Sequence, residues 1–146
     1  MTVEEFTAFV DKPSKPVKNE VEKGAIRKFA QAIGDQNPLY MSEELAKKSR
    51  YGGIIAPPTF ARTFDYGVIE GLWFETEGLI HGDERFHYYR PIKAGDVLHC
   101  SRRLVDVFER SGSLGKMTFL VYEQTAADEA GNPVVKTKST IIYRGA

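Results

Sequence analysis

The chain has 146 residues, and its twenty basic and twenty acidic side chains cancel to a formal net charge of zero. That length suits a single domain, 1–146, able to bury roughly 68–70% of its unfolded surface, and the neutral balance gives no global pull toward nucleic acid or an anionic membrane. No apolar run approaches the ~20 residues a membrane helix needs, and a lone cysteine, Cys100, rules out an intrachain disulfide and fits a reducing cytoplasm.

The N-terminus, MTVEEFTAFVDK, is acidic and lacks a signal-peptide pattern. Val3, Phe6 and Val10 share one face of an expected short helix over 3–10. Pro13 and Pro16 end it and force an extended segment. Val17, Asn19 and Val21 alternate with Lys18 and Glu20, the pattern of a short edge strand. From Glu22 the period lengthens. Ile26, Phe29, Ala30 and Ile33 line one face of a helix that Gly34 closes. Asp35-Gln36-Asn37-Pro38 reads as a turn, because Asp and Asn bond nearby backbone and Pro38 bars a helix at Asn37. Ser42 caps a second short helix, with Glu43 and Glu44 in its first turn and Lys47 and Lys48 in its last, as the helix dipole favours.

Tyr51-Gly52-Gly53 breaks that helix. Pro58 then suits the first turn of a long, mostly buried helix over 58–70, with Phe60, Phe64 and Val68 at i, i+4 and i+8. It stops near Gly71, and Trp73 and Phe74 follow in a loop. After residue 78 the chain reads as β. An alternating strand spans Arg85 to Arg90, and 91–96 is a turn. A long strand over 97–109 slips its alternation near Arg102 and Arg103, which predicts a bulge. Gly112 to Gly115 turns the chain. Lys116 to Thr125 is apolar on both faces and therefore central, Asp128 to Pro133 turns again, and Val134 to Arg144 closes the sheet. Helices followed by antiparallel strands make an α+β chain with five or six strands around the helix that begins at Pro58.

The stretch from Gly34 to Phe60 organises the functional reading, since turn residues and glycine–proline pairs at both ends build a site between two helices. Asp35 is either a turn residue after a helix cap or an acid–base group. Tyr40 is either a half-buried structural phenol or a hydrogen-bond donor to a substrate. Gly52 and Gly53 either permit positive φ or allow close approach of a ligand. Trp73 and Phe74 are core or interface aromatics, or a lid over an apolar chain. Arg90, Arg102 and Arg103 could meet a nucleotide phosphate or simply cover an exposed strand face. His81, His87 and His99 sit at no zinc-site spacing, so neither a metal nor another cofactor is expected.

Phe29-Ala30-x-Ala32-x-Gly34-Asp35-x-Asn37-Pro38-Leu39 resembles the signature of MaoC-like (R)-specific enoyl-CoA hydratases and (R)-3-hydroxyacyl thioester dehydratases. The match is to their N-terminal-half type, in which Tyr51-Gly52-Gly53-Ile54-Ile55-Ala56-Pro57-Pro58-Thr59-Phe60 follows. Tyr88-x-Arg90-Pro91-Ile92-x-x-Gly95-Asp96 resembles the family's strand-to-turn segment, and the likeness runs from about 17 to 144. It implies a hot-dog fold, an antiparallel sheet wrapped around one long helix, here placed at 58–70. It also implies a pair of hot dogs, a homodimer or a heterodimer, whose interface sites receive a CoA or acyl-carrier-protein thioester.

In active relatives an Asp and, after four intervening residues, a His hold and activate one water, while a backbone N–H at the start of the long helix polarises the thioester carbonyl. Here Asp35 is present, Tyr40 stands at the His position, and Pro58, which has no N–H, stands where a Gly donates. The resemblance thus implies Asp35 and Tyr40 at the catalytic positions and Asn37, Pro38, Gly52, Gly53, Pro58 and Thr59 around the thioester. It implies a non-catalytic half that needs a partner hot dog carrying the Asp-x4-His pair. Two alternatives remain open at this stage: a hot-dog thioesterase using Asp65 or Glu70, and a non-enzymatic acyl-CoA-binding protein.

Overall fold

Alternation of apolar and polar side chains sets the sheet. The computed structural model of the chain describes residues 1–74, 76–113 and 115–144. Five strands, β1 (Val17–Glu20), β2 (Ile80–Tyr88), β3 (Val97–Gly112), β4 (Gly115–Ala127) and β5 (Pro133–Tyr143), pair antiparallel throughout in the order β1-β3-β4-β5-β2. This is the antiparallel sheet of the hot-dog fold that the resemblance implied. β4 is central, as its two apolar faces require: Leu120, Val121 and Tyr122 are buried in succession. β2 begins at Ile80, well before the expected Arg85, and ends at Tyr88. β3 runs to Gly112, and its bulge falls between Leu104 and Asp106 rather than at Arg102–Arg103. The expected turn over 112–115 contains Leu114, which lies outside the described residues.

Short helices lie before the sheet in sequence. α1 (Val3–Thr7) opens with a capping box in which the Thr2 side chain and Glu5 satisfy each other's backbone N–H. It is shorter than the 3–10 helix expected, because Pro13 and the left-handed Asp11, at φ 64°, redirect the chain. α2 (Lys23–Ala32) buries Ile26 and Ala30 and ends in a Schellman motif. There Gly34 has φ 73°, its N–H bonds the Gln31 carbonyl at 3.1 Å, and the Asp35 N–H bonds the Ala30 carbonyl at 2.9 Å. The turn expected over 35–38 passes straight into a one-turn helix, α3 (Pro38–Met41), because the Asn37 side chain accepts the Leu39 N–H at 3.0 Å and Pro38 takes the first helical position. α4 (Glu43–Lys48) is capped by Ser42 as anticipated.

The long helix expected over 58–70 does not form. A 3-10 helix, Pro58–Thr63, occupies its start, and the chain then runs extended from Phe64, at φ −70° and ψ 148°. Two left-handed glycines, Gly67 at φ 79° and Gly71 at φ 82°, interrupt any helix. The extended backbone finds its partners in neighbouring side chains. Asn19 of β1 accepts the Asp65 N–H at 2.9 Å and donates to the Asp65 carbonyl at 2.8 Å. Ser14 Oγ donates to the Tyr66 carbonyl at 2.7 Å, and the Tyr66 hydroxyl donates to the Ala61 carbonyl at 2.6 Å. Satisfied this way, the segment from Phe60 to Ile69 lies across one face of the sheet. Phe60, Ala61 and Tyr66 pack with Leu98, Cys100, Ala126 and Val135, and Ile69 packs with Leu104, Leu120 and Tyr122. Burial of each large apolar side chain here contributes about 1.5–3 kcal/mol. Among the described residues, no helix is long and apolar enough to cross a membrane.

Candidate functional site

Three chain segments meet to form a cleft. The first is the capped turn at Asn37 with α3, the second is Ile55–Pro58 leading into the 3-10 helix, and the third is the end of β2 with the turn after it. Asn37, Tyr40, Tyr51, Pro58, Tyr88 and Ile92 are among the residues that line it, and its volume is about 490 Å³. A volume of that size lies in the ordinary range for small-molecule sites, and the lining is mostly aromatic and aliphatic. The walls are held by backbone bonds. The Ile55 N–H bonds the Leu39 carbonyl at 3.2 Å, and the Ala56 N–H bonds the Ile92 carbonyl at 2.8 Å. The Tyr88 hydroxyl donates to the Pro58 carbonyl, tying β2 to the start of the 3-10 helix. Arg90 fixes the turn that follows β2. Its two guanidinium nitrogens meet the Asp96 carboxylate at 2.8 and 3.2 Å, and Asp96 also accepts the Lys93 N–H at 2.8 Å.

Electrostatics make Tyr40 a donor. It is buried, and burial first, then the nearby Asp35 carboxylate, then Tyr51, raise its affinity for its proton above that of an ordinary phenol. Near neutral pH it keeps its proton, available to donate a hydrogen bond but unable to take up a further proton. Asp35 is exposed, on the rim formed by the Schellman motif. Tyr88, another of the cleft's phenols, is likewise pushed up by burial and stays protonated, its proton held by the Pro58 carbonyl. Pro58 brings no N–H to the mouth of the 3-10 helix. The cleft can therefore bind an apolar chain with a polar end and donate hydrogen bonds to it. It contains no imidazole: His81 lies against Arg62, His87 packs its ring edge-on to Tyr89, and His99 pairs in register with Lys18 and Ala127.

The structure thus brings together Asn37, Tyr40 and Pro58 at one cleft, with Asp35 beside Tyr40 and Pro38 opening α3. Gly52, Gly53 and Thr59 are not among the residues that line the cleft; Gly52 takes its left-handed φ of 69° in the turn after α4. Asp65 and Glu70, expected on the long helix, lie outside any helix and are exposed. The Asp65 carboxylate accepts the Gly67 N–H at 2.9 Å, which is a turn contact. Trp73 is 65% exposed, whereas Phe74 packs against Phe6 and Tyr143. Arg103 is held by Asp11 and Glu123 and Arg90 by Asp96, which leaves neither for a phosphate. Sequence reasoning missed Tyr88, Tyr89 and Ile92 as cleft residues. Their aromatic and aliphatic run before Gly95-Asp96 was the available signal.

Residues 8–137 match the family model described as FAS1-like, dehydratase domain region. The chain is 36% identical over 139 residues to a "UPF0336 protein" of Thermobifida fusca, covering 89% of this chain and 87% of that one. Among solved structures it is similar to a MaoC-like dehydratase, with a TM-score of 0.78 and 25% identity, over 94% of this chain and 42% of that one. It is also similar to a chain of the HadBC (3R-hydroxyacyl-ACP dehydratase) complex of Mycobacterium tuberculosis. That TM-score is 0.74 at 24% identity, covering 92% of this chain and 97% of the other.

Proposed function

The chain belongs to the MaoC-like family, within its FAS1-like dehydratase domain region, and from that premise we propose that it is the non-catalytic hot-dog subunit of an (R)-specific enoyl-thioester hydratase or 3-hydroxyacyl-thioester dehydratase. It binds an acyl thioester of CoA or of acyl carrier protein in the cleft between Asn37 and Pro58. A partner hot dog carrying the Asp-x4-His pair supplies the chemistry. One observation carries the reading: Tyr40, which stands where the resemblance implies a catalytic His, is a buried phenol whose proton is held more tightly than usual. Hydration of an enoyl thioester needs a group that takes a proton from water at neutral pH, and such a phenol does not. Pro58 likewise brings no N–H to the position where the resemblance implies an oxyanion donor. The likeness to a chain of HadBC, a complex by name, supports a second subunit.

Loss of a positioned acid–base group costs on the order of 10²–10⁴ in rate, and loss of one oxyanion donor on the order of 10²–10³. The two are coupled, so the lower end of their product is the working figure. The test is hydration of crotonyl-CoA and a longer enoyl-CoA, followed by loss of enoyl absorbance. The pure chain should stay at background, and addition of a hot dog with Asp-x4-His should produce turnover. Turnover of about 1 s⁻¹ or more by the pure chain, near the low end of ordinary enzymes, would overturn the reading.

A further inference from the structure

A second cavity lies on the face of the sheet that the Phe60–Ile69 segment covers. Its volume is about 210 Å³, and Arg62, Tyr66, Glu84, Arg102, Gln124 and Ser139 line it. Arg102 stands between Cys100 and Leu104 on the covered face of β3, opposite Gln124 of β4. Its Nε is fully buried without a hydrogen-bond partner, and among the described residues no carboxylate pairs with its guanidinium. The guanidinium carbon sits over the Tyr66 ring, 6.0 Å from its centroid. Glu84, the carboxylate of the cavity, is already taken: Arg62 donates to it, and His81 lies 3.7 Å away. Two guanidinium groups thus face one carboxylate, and the surplus charge belongs to Arg102.

An unpartnered guanidinium nitrogen in a covered site is costly, and a protein keeps such a group when something pairs with it. The geometry points to a carboxylate, and we propose that this cavity receives the carboxylate end of an acyl chain whose thioester end lies in the cleft. A carboxylate takes the guanidinium fork with two parallel hydrogen bonds. Gln124, whose Oε1 accepts from Thr137 at 3.0 Å, keeps its amide nitrogen to donate, and the Ser139 hydroxyl lines the same space. The cavity lies below the usual volume of a whole-ligand site, so it suits an end group. β2 links the two places. Tyr88 lines the cleft and Glu84 lines the cavity, four residues apart on one face, or about 13 Å by strand rise. Phe86 and Tyr88, with rings stacked at 6.4 Å, pave the way between them. The connection between thioester and carboxylate rests on the cleft reading above; the carboxylate site itself does not.

Calorimetry of the pure chain with dodecanedioyl-CoA, dodecanoyl-CoA and free glutarate, repeated on Arg102→Met, tests this, a twelve-carbon chain being long enough to span the two places. The expected result is that dodecanedioyl-CoA binds about tenfold or more tighter than dodecanoyl-CoA, as a hydrogen-bonded charge pair warrants. In Arg102→Met the preference should vanish while dodecanoyl-CoA binding stays unchanged. Equal binding of the two thioesters by the unmodified chain overturns the proposal and leaves the cleft reading intact. If neither thioester binds, the cleft reading fails, and glutarate decides: binding that is lost in Arg102→Met keeps the carboxylate site, and no binding removes it. The thermal midpoint supplies a further check without ligand. Arg102 is half-buried and its Nε alone is buried without a partner, so replacing it by Met should leave the midpoint equal or higher, whereas a purely structural Arg102 would lower it. A variant that fails to fold still leaves the comparison of thioesters on the unmodified chain to decide.

Discussion

Gly67 and Gly52 separate two reasons for glycine. Both have positive φ, 79° and 69°, which costs an L side chain roughly 1–2 kcal/mol. A Cβ at Gly52 would meet open space, whereas at Gly67 it would lie 2.8 Å from the Lys15 carbonyl oxygen and 3.3 Å from Ser14 Oγ and Val17 Cγ2. Backbone there cannot swing aside, because Ser14 is bonded both to the Tyr66 carbonyl and to the Arg102 N–H. Gly52→Ala should therefore cost only the backbone term, and Gly67→Ala about 1–3 kcal/mol more from overpacking. Urea midpoints measure both. Equal losses would mean that the 14–17 segment yields, and that it does not lock the extended chain in place.

α1 has only five residues, too few to stand alone, so its packing must hold it. Phe6 is fully buried and meets Phe74 and Tyr143 edge-on at 6.0 and 5.7 Å. Phe6→Ala should cost about 3–5 kcal/mol by equilibrium denaturation. A loss below 1 kcal/mol would show that α1 is a removable appendage. The periodicity of β1 and of α2 was legible in sequence because one face of each is more covered than the other, and β4 was legible as an apolar run because both its faces are covered. The 58–70 segment was not legible for a matching reason. Phe60, Phe64 and Val68 fall at helical spacing, yet Val68 is 79% exposed, and the side chains that hold the segment extended, Ser14 and Asn19, lie more than forty residues upstream. Local pattern cannot report a long-range backbone partner. At the cleft, Asn37, Tyr40 and Pro58 were readable because turn and cap chemistry is local. Tyr88 and Ile92 reach the same cleft only through sheet order. Arg102 looked like an ordinary strand arginine until β3 was assigned its covered face.

At the scale of the whole molecule, the covered face of the sheet carries titratable groups whose burial ties stability to alkaline pH. Cys100, fully buried, has its thiol pushed by burial from an ordinary 9.0 up to about 12. Tyr122, also buried, goes from 10.0 up to about 12, again through burial and against the opposing pull of Arg102. Burial pushes Tyr66 and Tyr88 in the same direction. Above pH 9 the unfolded chain has released the thiol proton while the folded chain keeps it, so unfolding releases a proton and rising pH favours it. This contribution is complete below about pH 9 and is lost as pH climbs toward 12, at about 1.4 kcal/mol per pH unit for each group in its window. Urea midpoints should fall from about pH 9 upward, and more steeply above pH 10, where the tyrosines join. Cys100→Ala should remove the slope between 9 and 10 and leave the steeper fall beyond it. A flat profile from pH 7 to 11 in the unmodified chain would mean that the covered face opens to water on the timescale of titration, and that the Phe60–Ile69 segment does not seal it.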